Sequence, residues 1–174
     1  MSSGLKGSLV ALALQEVGIR EVGGNNLGPR VAEYQKTTWL KPGPWPWCAA
    51  LMCFLMKNWL TSAEVREALQ LGNAKAAEAW RCKDASAFDW EKWAVQKHIS
   101  IYPETVLAQL GDIVVFDFSH IGLVIEDQEE GSEFIRTIEG NTNGKGDRDS
   151  VSGDGVWQKT RRHELTKSYI RIIE

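Results

Sequence analysis

Of the chain's three cysteines and three histidines, one of each stands where nucleophilic chemistry could be done. Cys48 lies in Pro44-Trp45-Pro46-Trp47-Cys48-Ala49-Ala50, where a rigid aromatic stretch gives way to the apolar run Leu51-Met52-Cys53-Phe54-Leu55-Met56. The pattern predicts that Cys48 opens a buried helix. The first N–H groups of a helix have no partner inside it and carry partial positive charge. A thiolate, the nucleophilic form of cysteine, is stabilised there. Such a nucleophile needs a base within hydrogen-bond reach, and the base needs a third group to hold its tautomer. His120, in Phe118-Ser119-His120-Ile121-Gly122, opens a predicted strand beside a glycine that leaves it room to face a cleft. His98 follows a charged helical stretch and His163 sits in Arg161-Arg162-His163-Glu164, so both read as solvated. The next strand ends in Glu139-Gly140-Asn141. Antiparallel pairing could bring either Glu139 or Asn141 against the imidazole.

The elements that must position these groups change period halfway along the chain. Helices are expected over residues 8–18, from Pro29 onward with Val31 and Tyr34 inward, over 48–60, after a capping box Thr61-Ser62-Ala63-Glu64, and from Ser86 or Asp89 with Trp90 and Trp93. Short β-branched or aromatic runs follow at 113–118, 121–126, 134–139, 156–161 and 169–173, separated by turn residues. Helices followed by a run of strands predict an α+β domain, N-terminal helices packed on a C-terminal antiparallel sheet. Residues 140–155 read as a polar, glycine-rich loop.

With 174 residues the chain suits one domain, 1–174, with a real core. A net charge of −3 gives no reason to expect nucleic acid or an anionic membrane as partner. An odd number of cysteines argues against a disulfide framework, and no pair has zinc-ligand spacing. Lys6 precedes an apolar stretch too short for a signal peptide, and no segment has transmembrane length. Synthesis in the cytoplasm without stable membrane insertion is therefore expected. Eight tryptophans are many for this size, and some suit a groove for sugars or peptides. Trp45, Trp47 and Trp157 are the expected contributors.

In order and content these pieces resemble the CHAP domain, the cysteine/histidine-dependent amidohydrolase/peptidase group of papain-like fold. The matching segments are Glu21-Val22-Gly23-Gly24-Asn25-Asn26, Gly28-Pro29, Pro46-Trp47-Cys48-Ala49-Ala50, Gly111-Asp112-Ile113-Val114-Val115-Phe116, Ser119-His120-Ile121-Gly122 and Ile138-Glu139-Gly140-Asn141. The resemblance implies Cys48 as nucleophile, His120 as base, Glu139 as the group orienting the histidine, and Asn141 as its polar neighbour or substitute. It implies that Asn25 and Asn26 border the cleft. Members of the family cut amide bonds in peptidoglycan, so a peptidoglycan peptide is the expected substrate and the cell wall or periplasm the place of action. A monomer needing no cofactor or metal is expected, with an immunity protein or an export or holin system as the accompanying partner. Two departures stand out: the second thiol Cys53 on the same helix, and an unmatched insert over 61–93.

The expected chemistry is thiolate attack on an amide carbon, with the Cys48 N–H in the oxyanion site, then thioester hydrolysis. On this scheme Glu139→Gln costs less than losing Cys48, because an amide still accepts from the ring. A metal hydrolase would need a spacing such as HExxH, which is missing. Asp147, Asp149 and Asp154 crowd one loop without the EF-hand pattern, which makes a solvated loop the expectation. A non-catalytic wall-binding module and the same chemistry on another peptide or polyamine amide are the rival functions.

Overall fold

The computed structural model describes residues 2–144 and 153–174. Among the described residues six helices, α1 (Ser2–Glu16), α2 (Pro29–Gln35), α3 (Cys48–Trp59), α4 (Ala63–Ala68), α5 (Ala74–Trp80) and α6 (Asp89–Gln96), precede six strands. These are β1 (Ser100–Tyr102), β2 (Ile113–Phe116), β3 (Ile121–Val124), β4 (Phe134–Thr142), β5 (Gly155–Arg162) and β6 (Thr166–Arg171). The strands form one antiparallel sheet in the order β1-β6-β2-β3-β4-β5. The α+β architecture of helices on a C-terminal sheet is the one the change of period predicts.

Helix α3 is central because nearly every residue on it is apolar. Ala49, Ala50, Leu51, Cys53, Leu55, Met56 and Trp59 are all buried, and the helix packs against α1, α2, β3 and β4. Ile113, Val115, Ile121, Leu123, Ile138, Val156 and Ile170 cover this helical layer from the sheet. The other face of the sheet carries a second cluster of Ala108, Val114, Phe116, Val124, Ile135 and Tyr169. With both faces covered, β2 and β3 are buried throughout, and alternation disappears from their sequence.

Several boundaries differ from expectation for local reasons. Helix α1 begins at Ser2 rather than near residue 8. The cap of α4 is Ser62, whose side chain accepts from the Val65 N–H, one residue later than the Thr61–Glu64 box would place it. Helix α5, not foreseen, is capped by the Asn73 side chain on the Ala76 N–H. The insert over 61–93 joins the core through Val65, Ala77, Cys82, Ala87, Trp90 and Trp93. Strand β2 stops at Phe116 instead of residue 118. The Phe116 N–H donates to the His120 carbonyl at 2.9 Å, closing a three-residue loop whose last residue, Ser119, has φ 57°. A left-handed final residue is what a three-residue hairpin loop calls for. Strand β4 runs on to Thr142 beyond the expected end at 139, and Asp147 and Asp149 lie outside the described residues.

Candidate active site

Cys48 is the first residue of α3, after Trp47 as N-cap. The first intrahelical hydrogen bond runs from the Leu51 N–H to the Trp47 carbonyl at 3.0 Å. The N–H groups of Cys48, Ala49 and Ala50 therefore have no acceptor within the helix. No acidic residue in the first turn competes for their positive end. The loop that leads in is pinned by buried Gln35. Its Nε2 donates to the carbonyls of Gly43 (2.7 Å) and Trp45 (3.1 Å), and its Oε1 accepts from the Gly43 N–H (3.0 Å).

His120 directly follows the three-residue β2–β3 loop. Its Nε2 lies 2.9 Å from Glu139 Oε2; a carboxylate only accepts, so Nε2 carries the hydrogen. The Cys48 thiol also acts on the ring's protonation, and with Nε2 taken by Glu139, Nδ1 is the nitrogen left for it. The fold thus brings Cys48, His120 and Glu139 together, with the hydrogen bond between the last two. Cys48 and His120 keep 7% and 9% of their surface, and Glu139 keeps none. The little surface the set keeps lies at Cys48 and His120, and the orienting end is sealed.

Two glycines make the arrangement possible. Gly122 stands opposite Glu139 across β3 and β4, and a Cβ on it would come within 2.7 Å of Glu139 Cγ. A Cβ on Gly140 would lie 2.8 Å from both Leu51 Cδ2 and Trp47 Cζ3. Successive residues of β4 thus point to opposite faces: Glu139 reaches the histidine, and Gly140 lets the first turn of α3 approach.

Charges on the site follow from this packing. Burial alone would push the His120 imidazole down. The hydrogen bond and charge of Cys48, and those of Glu139, outweigh it and raise the group to about 9. Burial pushes the Glu139 carboxyl up, but the Arg161 guanidinium first and His120 second hold it at about 2. Arg161 was not foreseen. Its Nε lies 2.9 Å from Glu139 Oε1 and its Nη2 lies 2.6 Å from Oε2. The Thr137 hydroxyl donates to Oε1 at 2.6 Å. Cys53 is fully buried, and desolvation first, then Cys82, pushes its thiol well up. It is held as a neutral core group.

The other expected residues fall out differently. Trp47, expected in a substrate groove, is withdrawn from it: it has no exposed surface and its ring lies 5.5 Å from that of Tyr34. Its Nε1 donates to Glu21 Oε1 at 2.8 Å, tying the Asn25–Asn26 loop to the nucleophile's loop; Glu21 is a second support the residue types alone did not reveal. Asn25 is exposed, and Asn26 is buried at φ 60°. Trp45 is half-buried, its Nε1 on the Lys41 carbonyl. Trp157, half-buried, pairs with Glu139 in the β4–β5 register, and Arg20 covers its ring at 4.0 Å. Asn141 sits at a register break of β4 at φ 54°, and the carboxylate on the imidazole is that of Glu139. His98 is exposed after α6, and His163 lies in a 3₁₀ turn between β5 and β6. Among the described residues no three His, Cys, Asp or Glu side chains are grouped to hold a metal ion. No helix among them is long and apolar enough to cross a membrane.

No protein-family model matches the chain, and a search of curated proteins finds no match. The functional reading therefore stands on the site's geometry and on the motifs.

Proposed function

We propose that the chain is a cysteine-dependent amidase or endopeptidase that hydrolyses amide bonds of bacterial peptidoglycan through a thioester, in the manner of the CHAP domains its motifs resemble. The observation that carries this reading is the His120–Glu139 hydrogen bond brought to Cys48 at the first turn of a buried helix. His120 takes the Cys48 proton and holds it at Nδ1. The thiolate attacks the amide carbon, and the Cys48 N–H donates to the oxyanion. The imidazolium then protonates the leaving amine, and water, deprotonated by His120, hydrolyses the thioester. Glu139 holds the ring so that Nδ1 faces the sulfur throughout. Peptidoglycan as substrate rests on the resemblance of the Trp47-Cys48-Ala49 and Glu139-Gly140-Asn141 segments.

The test is digestion of purified peptidoglycan by wild type and Cys48→Ala, with products read by mass spectrometry. Defined fragments from wild type alone support the proposal and name the bond. Equal activity of the two proteins ends it. No fragments from either, with Cys48 still rapidly alkylated in wild type, moves the same chemistry to another peptide or polyamine amide.

A further inference from the structure

Burying a guanidinium is costly, yet β5 places Arg161 beneath the site at 1% exposure. Its Nε lies 2.9 Å from Glu139 Oε1 and 3.2 Å from Oε2, and its Nη2 lies 2.6 Å from Oε2. Its Cζ stands 5.5 Å from the Phe116 ring and 5.6 Å from the Phe118 ring. Those two rings also stack on His120, at 5.8 and 5.7 Å. One aromatic wall therefore sets the place of both the imidazole and the guanidinium.

We propose that Arg161 is a positioning residue for the Cys48–His120–Glu139 site: its fork locks the Glu139 carboxylate with one oxygen turned to His120, and its charge sets the proton balance of the imidazole and thiol. The inference rests on Cys48 and His120 being the reacting pair and does not depend on which amide is cut. Oxygen Oε1 is occupied by Thr137 and Arg161, so the carboxylate cannot swing without breaking both. Arg161, Glu139, imidazolium and thiolate alternate in sign, and with Arg161 the set is neutral. Without it the set carries one net negative charge, and proton binding is favoured at each member. Among the described residues, other charged groups on these elements include Lys159, two positions along the same face of β5 with its Nζ on the Asn143 carbonyl, and exposed Asp117 on the β2–β3 loop. Both are retained in the variants.

Two titrations test this without any substrate: the rate of Cys48 alkylation by iodoacetamide against pH, followed on the Cys48 peptide by mass spectrometry, and the His120 ring Cε1–H signal by NMR. In Arg161→Met both midpoints are expected to move to higher pH by about one unit or more. Arg161→Lys restores the charge and is expected to bring them back toward wild type, a rescue that a purely space-filling role would not give. Should the methionine variant not fold, Arg161→Gln makes the same test with a neutral donor. Midpoints superimposed on wild type in a folded, uncharged variant overturn the proposal. A wild-type Cys48 that titrates independently of His120 would instead sink the nucleophile assignment beneath it, while a failed wall digestion alone leaves the Arg161 result intact.

Discussion

Glu139 faces two cations at once, and that changes what its removal does. Seen from the sequence, Glu139→Gln is mild, because an amide oxygen still accepts from the imidazole. In the folded site the amide's NH₂ must meet either Arg161 or His120, donor against donor, and Arg161 loses its countercharge in the interior. Removing one partner of a buried ion pair costs about 3–5 kcal/mol, so urea unfolding should show Glu139→Gln much less stable than Cys48→Ala, which leaves only a small gap. The pH dependence follows from the same groups. Glu139 is held at about 2, below its ordinary 4.5, so its stabilisation is present above the ordinary value and lost as pH falls through about 2. His120 is held at about 9, above its ordinary 6.5, so its stabilisation is present below the ordinary value and lost as pH rises through about 9. Turnover should fall across that upper window as the imidazolium loses the proton the leaving amine needs. A rate that rises steadily through it would contradict the assignment of His120 as the acid.

Among elements, β4 and α3 are fitted to each other at Gly140, and β3 and β4 at Gly122. Gly140→Ala would drive a methyl into Trp47 and Leu51, lifting the first turn of α3 and with it Cys48. Gly122→Ala would press on Glu139 Cγ and, at 3.1 Å, on the Ile138 carbonyl. Overpacking of this kind costs about 1–3 kcal/mol. Both variants are expected to melt lower but remain folded, with kcat reduced further than the stability loss alone explains, since each moves a member of the Cys48–His120–Glu139 set. Full turnover per folded molecule in Gly122→Ala would show that Glu139 need not sit where it does. The Glu-Gly-Asn and Trp-Cys-Ala segments were legible as motifs. That they are halves of one contact was not, because the contact joins positions about ninety residues apart in the chain.

On the scale of the whole molecule, a second buried ion pair closes the sheet away from the site. Asp112, fully buried at the start of β2, takes Arg171 Nε at 2.8 Å and Nη2 at 2.7 Å, joining the last strand to the centre. It lies at the end of β2 remote from the His120 loop. Asp112→Asn should therefore cost about 3–5 kcal/mol, a fall in Tm of roughly 6–20 °C for a chain of this size. The pH profile per folded molecule should stay that of wild type. A shifted profile would mean that the two ion pairs are coupled through the sheet.

The order of helices before strands, the burial of α3 and the place of Cys48 at its start were all decided by local sequence. They depend on period and on composition within a few turns, and those act before any tertiary contact forms. The choice of Glu139 over Asn141, the withdrawal of Trp47 into the core and the presence of Arg161 beneath the site were decided only by the tertiary structure. Each depends on strand register and on which face of the sheet a side chain takes. Strand β4 shows no clean alternation, being buried on both faces near residues 137–140, so its faces could not be told from its residues. Arg161-Arg162 reads as the polar end of a strand. It is the pairing of Ile135 with Arg161 that sends one arginine to Glu139 and the other to solvent.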